Sequence, residues 1–168
     1  VDAMATSAAT GSGVRLIGVE PKYEKTVTNL FTKITAGSYF ENPGNTSIVI
    51  GEKLAEKLTV KLGSKLVLTL QDVEGTITTT LFRVEGIYKT ANTGYDELNV
   101  FVKKDYLQEL TGLEDKDAHE LAVVLKDNDQ LESVQSLLKE EYSGLDVRTW
   151  RELMPEVSVI ESTMDLYM

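Results

Sequence analysis

The stretch from Lys65 to Tyr88 constrains the fold of this chain more than any other. Lys65 to Leu70 (KLVLTL) alternates between polar and apolar residues. Asp72-Val73-Glu74-Gly75 carries turn chemistry, and Thr76 to Tyr88 is rich in Thr, Ile and Val. Side chains that alternate with a period of two line the two faces of a strand, and β-branched residues suit a pleated surface. A strand, a turn and a second, bent strand are therefore expected, with a bulge at Gly86.

The segments on either side predict a mixture of elements. Val1 to Gly13 is small and polar and reads as a flexible lead-in or a torn strand. Val14 to Val19 reads as a short strand that stops at Glu20-Pro21, because the residue before a proline is biased away from helix. Val27, Leu30, Phe31 and Ile34 recur with helical spacing, which predicts a helix over about Glu24–Ile34 that Gly37 stops. Ser47 to Gly51 reads as a buried strand. Leu54, Ala55 and Leu58 line a short helix that closes near Gly63. Leu98 to Val102 is another strand and Asp105 to Leu110 another short helix. Further strands are expected at Leu121–Leu125 and Asp146–Arg148, on either side of an amphipathic helix over Leu131–Tyr142. Thr149 and Glu152 form an S/T-x-x-E capping box, the start signal of a last helix that is expected to run to Met168 with Pro155 in its first turn. The order predicts an α+β fold of two lobes, in which the outer pieces pair across a β-rich middle block.

Composition narrows the chemistry. The chain has 168 residues and a formal charge of −10, which disfavours docking onto nucleic acid or anionic lipid. It contains no cysteine, so disulfides, zinc-thiolate sites and cysteine nucleophiles are excluded together. No apolar run is long enough to span a bilayer. The chain starts at Val1 and shows no signal-peptide pattern, so it reads as an excised fragment or a processed chain.

Few residues suggest a reaction. His119, the single histidine, lies in an acidic run and reads as a surface residue without the orienting partner that a general base needs. Asp115, Asp117 and Glu120, and likewise Asp127, Asp129 and Glu132, lack calcium-loop spacing. The second set reads as a helix start, where acids favour the positive end of the dipole. Gly11-Ser12-Gly13 precedes a strand, so it is not a nucleotide cradle. No cofactor, metal or catalytic residue is expected. Tyr95-Asp96 follows the turn-forming Asn92-Thr93-Gly94 and reads as a turn whose aspartate bonds nearby amides, with a binding loop as the alternative. Trp150 reads as a core anchor.

Several pieces occur together in order. They are GVEP at 18–21, IVIGEKLAEKLTVKLGSKLVLTL at 48–70, FRVEGIY at 82–88, Tyr95-Asp96, and TWRELMPE at 149–156. This set resembles the extracytoplasmic core domain of MacB-like ABC transporter permeases, with a flavour closest to the lipoprotein-releasing permeases. The resemblance runs from about Gly13 to the C-terminus. It implies a Porter-like α/β lobe from residues 1–44 and 113–168, shortened at its start, and a central Sabre-like lobe from 45–112. It further implies a parent anchored in the cell membrane with this domain on the extracytoplasmic side. The expected partners are an ABC ATPase subunit reached through the membrane part, a second permease subunit, and a periplasmic carrier or lipoprotein substrate. ATP hydrolysis would occur elsewhere, so the domain is not expected to be an enzyme.

The function implied is coupling of cytoplasmic ATP hydrolysis to export or release of a substrate. The alternative is an FtsX-like regulatory domain that transmits force to a cell-wall hydrolase or sensor. Candidate partner contacts are Asp72, Val73, Glu74 and Gly75 in the hairpin turn, with Tyr95 and Asp96. In carrier-coupled exporters the corresponding hairpin is extended into a hook. Here Gln71–Thr79 is short and has no proline, which weighs against carrier capture.

Overall fold

A computed structural model describes residues 1–114 and 117–153. The chain divides into two units, Val1–Ala122 and Val123–Met168. The first is built on a seven-stranded sheet: β1 (Asp2–Thr6), β2 (Gly11–Val19), β3 (Ile34–Gly37), β4 (Ser47–Gly51), β5 (Lys65–Gln71), β6 (Ile77–Tyr88) and β7 (Asn99–Lys103). The strand order is β3-β6-β4-β7-β2-β1-β5, and β5 also pairs with β6. Every strand except β3 thus has at least two neighbours, β6 having three, and the sheet closes into a ring, which removes most of the open edges that a flat sheet leaves.

Alternation fills the ring. Ala5, Val14, Leu16, Ile48, Ile50, Leu66, Leu68, Leu70, Phe82, Val84, Val100 and Val102 point inward and are buried together. Helix α2 (Glu52–Leu58) adds Leu54, Ala55 and Leu58, and α4 (Lys104–Thr111) adds Leu107. A second cluster, Val19, Leu30, Tyr39, Phe40, Val49, Tyr88 and Phe101, joins β2, β4, β6 and β7 to the segment 30–40. β4 is therefore covered on both faces, and all five of its residues are buried.

The central hairpin forms as the pattern predicts, with β5 and β6 antiparallel from Lys65↔Arg83 to Gln71↔Ile77. The bulge falls where Gly86 predicts it: Ile48 pairs with Val84 and Val49 with Gly86, so Glu85 is the extra residue. Both an α+β composition and short helices at the expected places are present. β2 lies beside β7, and β1 beside β5, so strands from 1–44 and from 45–112 share one sheet.

Other expectations are corrected. The lead-in is a hairpin: β1 pairs with β2 through a turn in which Ser7 Oγ accepts hydrogen bonds from the amides of Ala9 (3.1 Å) and Thr10 (3.2 Å). Its inward residues are alanines, too small to show as an apolar stripe. The helix expected over Glu24–Ile34 is instead α1 (Pro21–Val27), with proline in its first turn, then a 3-10 turn over Leu30–Lys33 and strand β3. Thr28 is extended (φ −119°, ψ 164°) and ends α1, and Ile34 leaves the helical path to pair with Tyr88. Tyr95 and Asp96 lie in a short helix, α3 (Thr93–Leu98), not in an open turn.

The second unit, by itself, holds a 3-10 turn over Asn128–Gln130, α5 (Leu131–Glu141) and α6 (Trp150–Leu153). Asp127 caps the 3-10 turn by accepting from the Asp129 amide at 3.0 Å, the role expected for these acids. The capping box closes in both directions. Glu152 accepts the Thr149 amide at 2.6 Å, and the Glu152 amide donates to Thr149 Oγ1 at 3.3 Å. The rest of the expected last helix lies outside the described residues. Trp150 is half-buried beneath the Arg151 guanidinium (5.4 Å) and is not a buried anchor. Neither Leu121–Leu125 nor Asp146–Arg148 forms a strand, because a β-branched run becomes a strand only where an edge receives it.

Candidate functional site

The turn between β5 and β6 is held from several sides. Asp72 Oδ1 accepts the amides of Glu74 (2.9 Å) and Thr76 (2.8 Å), the aspartate-to-backbone pattern of a tight turn. The Gly75 amide donates to the Asp72 carbonyl at 3.1 Å, and Gln71 Nε2 donates to the Gly75 carbonyl at 2.8 Å. Gly75 has φ +85°, a conformation that L side chains rarely adopt. The Val73 amide donates to the Thr111 carbonyl at 3.1 Å, which ties the turn to the end of α4. What remains free is the Val73 side chain, 62% exposed, beside the exposed Glu74. The turn is thus a stiff projection with an apolar residue and an acid at its tip.

Tyr95 and Asp96 are placed differently. Asn92 caps α3 by accepting the Tyr95 amide at 3.0 Å. Asp96 is 1% exposed. Its Oδ2 accepts the Thr90 amide (2.9 Å) and its Oδ1 the Thr90 hydroxyl (2.7 Å). These bonds use both oxygens inside the fold, so Asp96 is a positioning residue and not a surface contact. Tyr95 is 38% exposed and lines a shallow depression of about 270 Å³ with Glu24, Asn29, Lys33 and Thr90. Burial, then the charges of Glu24 and Asp96, pushes its phenol up from the usual value. The buried Tyr39 hydroxyl has no hydrogen-bonding partner among the described residues, and burial first, with Glu24 and Tyr95 next, raises it beyond the ordinary tyrosine range.

The two candidate groups are not brought together. The turn sits at the start of β6, where Gln71 pairs with Ile77. Tyr95 sits at its end, where its carbonyl accepts the Tyr88 hydroxyl at 3.3 Å. A twelve-residue strand at roughly 3.3 Å per residue separates them.

Sequence reasoning missed Glu85. It is the bulge residue, buried in β6, and its Oε1 accepts from Ser38 Oγ and the Asn42 amide, each at 3.0 Å. Burial alone would raise its carboxyl, but the polar groups that surround it, Ser47 together with the bonded Asn42 amide and Ser38 hydroxyl, outweigh burial and hold the carboxyl below its usual value. The one available signal was an acid beside a strand glycine. Among the described residues, no group of three or more His, Cys, Asp or Glu side chains is placed to hold a metal ion, and His119 is exposed. No helix of the described residues is long and apolar enough to cross a membrane.

The first unit is thus a mixed α+β domain, a closed ring of strands from which a braced turn projects. The model of the MacB-like periplasmic core domain matches residues 1–141, and the chain belongs to that family. It is therefore the extracytoplasmic domain of an ABC transporter permease. No curated protein matches the chain.

Proposed function

We infer that this domain couples cytoplasmic ATP hydrolysis to export or release of a substrate at the outer face of the membrane, lipoproteins being the cargo class that the sequence pieces favour. The observation that carries this reading is the turn Asp72–Gly75, which presents Val73 and Glu74 to solvent on a frame that Asp72, Gln71 and α4 hold still. A stiff tip transmits a displacement of the domain to whatever it touches, whereas a loose loop absorbs it. Tyr95 at the far end of β6 is a second, separate contact. The ATPase subunit and a second permease subunit act through the membrane part of the parent.

Deleting Val73–Glu74 in the full transporter is expected to impair export while the ATPase complex still assembles. Export at the normal rate sinks the contact role. A second reading, force transmission to a cell-wall hydrolase or sensor, is favoured by one feature: the turn is short and lacks the reach of a carrier hook. Co-isolation from an envelope extract separates the two. A carrier or lipoprotein supports transport, and a hydrolase or sensor supports regulation.

A further inference from the structure

The depression beside Tyr95 gathers unmatched chemistry from three elements. Glu24 enters from α1, Leu30 and Lys33 from the 3-10 turn that Asn29 precedes, and Tyr95 from α3. Its volume is about 270 Å³. Pockets for drug-sized ligands begin at roughly 300 Å³, so it suits something smaller. The buried Leu30 and the partly exposed Tyr95 supply apolar surface. Glu24 spends one oxygen on the Thr28 hydroxyl at 2.8 Å and has no cation in ion-pair range among the described residues. Lys33 has no carboxylate in range there either. Other lysines nearby in the chain do find acids: Lys53 pairs with Glu56, Lys57 with Glu97 and Lys89 with Glu52. One depression is therefore lined by a carboxylate and an ammonium that neutralise neither each other nor a neighbour.

Two further groups are unspent. The Asn29 side chain makes no cap bond to the turn it precedes, so its amide stays available. Tyr39 is 5% exposed, its hydroxyl lacks a partner among the described residues, and it lies near enough to Glu24 and Tyr95 to feel both. Buried polar groups are nearly always bonded, and an exception marks a place where another molecule can supply the bond. Opposite charges on either side of an apolar floor match a ligand with the reverse pattern. It needs an ammonium for Glu24, a carboxylate for Lys33 and the Asn29 amide, and an apolar body for Leu30 and the Tyr95 ring. A free α-amino acid carries these three parts on one carbon. A basic side chain of a partner would answer Glu24 but set a like charge against Lys33.

We propose that this depression binds a free α-amino acid with an apolar side chain, held through its ammonium by Glu24 and through its carboxylate by Lys33 and Asn29. Small-ligand sites combine apolar walls with a few polar groups that fix orientation, and the lining here has that make-up. The frame is set before the ligand arrives: Asn92 caps α3 at Tyr95, and Asp96 holds Thr90, another lining residue, through two bonds. Both charges stand partly in water, where an ion pair contributes little, so the affinity is on the order of millimolar. Tyr95, read above as a separate contact, thereby gains a small-molecule ligand. The inference stands apart from the reading of the turn, because it needs neither cargo nor a partner protein.

The 168-residue chain tests it directly, with L-leucine as the probe. Proton–nitrogen correlation spectra should show saturable shifts at residues 24–33 and 90–95, half complete at a concentration on the order of millimolar. Leucinamide lacks the carboxylate and N-acetyl-leucine the ammonium. Each should bind about fivefold more weakly, the scale of one exposed ion pair. Glu24→Gln keeps an acceptor for the Thr28 hydroxyl and Lys33→Met keeps the alkyl stem, and the same spectra report that both variants are folded. Each variant should weaken leucine by a similar factor and lose one discrimination. Glu24→Gln should no longer tell leucine from N-acetyl-leucine, and Lys33→Met should no longer tell it from leucinamide. Phosphoethanolamine, a zwitterion of the lipid-headgroup kind without an apolar side chain, should bind more weakly than leucine. Absence of a saturable shift, equal binding of leucine and both analogues, variants that bind like the parent, or tighter binding of phosphoethanolamine overturns the proposal.

Discussion

Glu85 holds a large share of the order around the bulge with one carboxylate. Ser38 and Asn42 both bond to it, so it fastens the chain between β3 and β4 against β6. Its carboxyl is held below the ordinary 4.5, so it contributes stability that is complete above that value and lost as pH falls through the lower folded value. Glu85→Gln is expected to cost roughly 1.5–3 kcal/mol at neutral pH, the scale of hydrogen bonds to a charged group. The variant should then lose less than the parent between neutral and acid conditions. Urea melts of both proteins at two pH values measure this, and parallel losses count against it. Gly51 makes a sharper case. A Cβ there would overlap the Asp96 carbonyl and stand 2.6 Å from the Asp96 Cα, so α3 lies directly on it. Gly51→Ala should cost about 3 kcal/mol, at the upper end for overpacking, seen as a drop in the urea midpoint. Neither residue was legible in the sequence, because each owes its role to a partner far away in the chain.

At the scale of elements, legibility followed side-chain size. β5 and β6 announce themselves because Leu66, Leu68, Leu70, Phe82 and Val84 are large and alternate. β1 does the same with alanines, and so it read as a lead-in. The stripe Val27, Leu30, Phe31, Ile34 has helical spacing, yet Ile34 pairs with Tyr88 and only Leu30 of the 3-10 turn is buried. An available strand partner outweighed a local preference that is worth tenths of a kcal/mol per residue. Helix α2 is legible because its apolar residues, Leu54, Ala55 and Leu58, are the ones that enter the ring. Leu54→Ala there should destabilise by about 2–5 kcal/mol, since the surrounding strands cannot collapse onto the space, and a thermal melt reads the loss. The candidate contacts divided on the same ground. The turn Asp72–Gly75 was found from its own chemistry, whereas the burial of Asp96 depends on Thr90 and on the close approach to Gly51.

For the whole molecule, closure was the least visible property. It requires β1 to lie between β2 and β5, a pairing that no local pattern encodes. Removing residues 1–6 opens the ring and bares one edge each of β2 and β5. The truncated chain is expected to aggregate or to unfold at lower urea, and amide exchange should speed across β2 and β5 together. Exchange that changes only near the new terminus would contradict a closed ring. The family places the domain outside the membrane, and that gives the closure a timetable. A chain threaded outward from its N-terminus delivers β1 and β2 first, but Ala3 finds Leu70 only after β5 has emerged. Until then the first hairpin waits with an open side, and the long loop to be closed slows the step that ends the wait. The start of this domain is thus made early and secured late, so the interval of transit is when it is most open to mispairing.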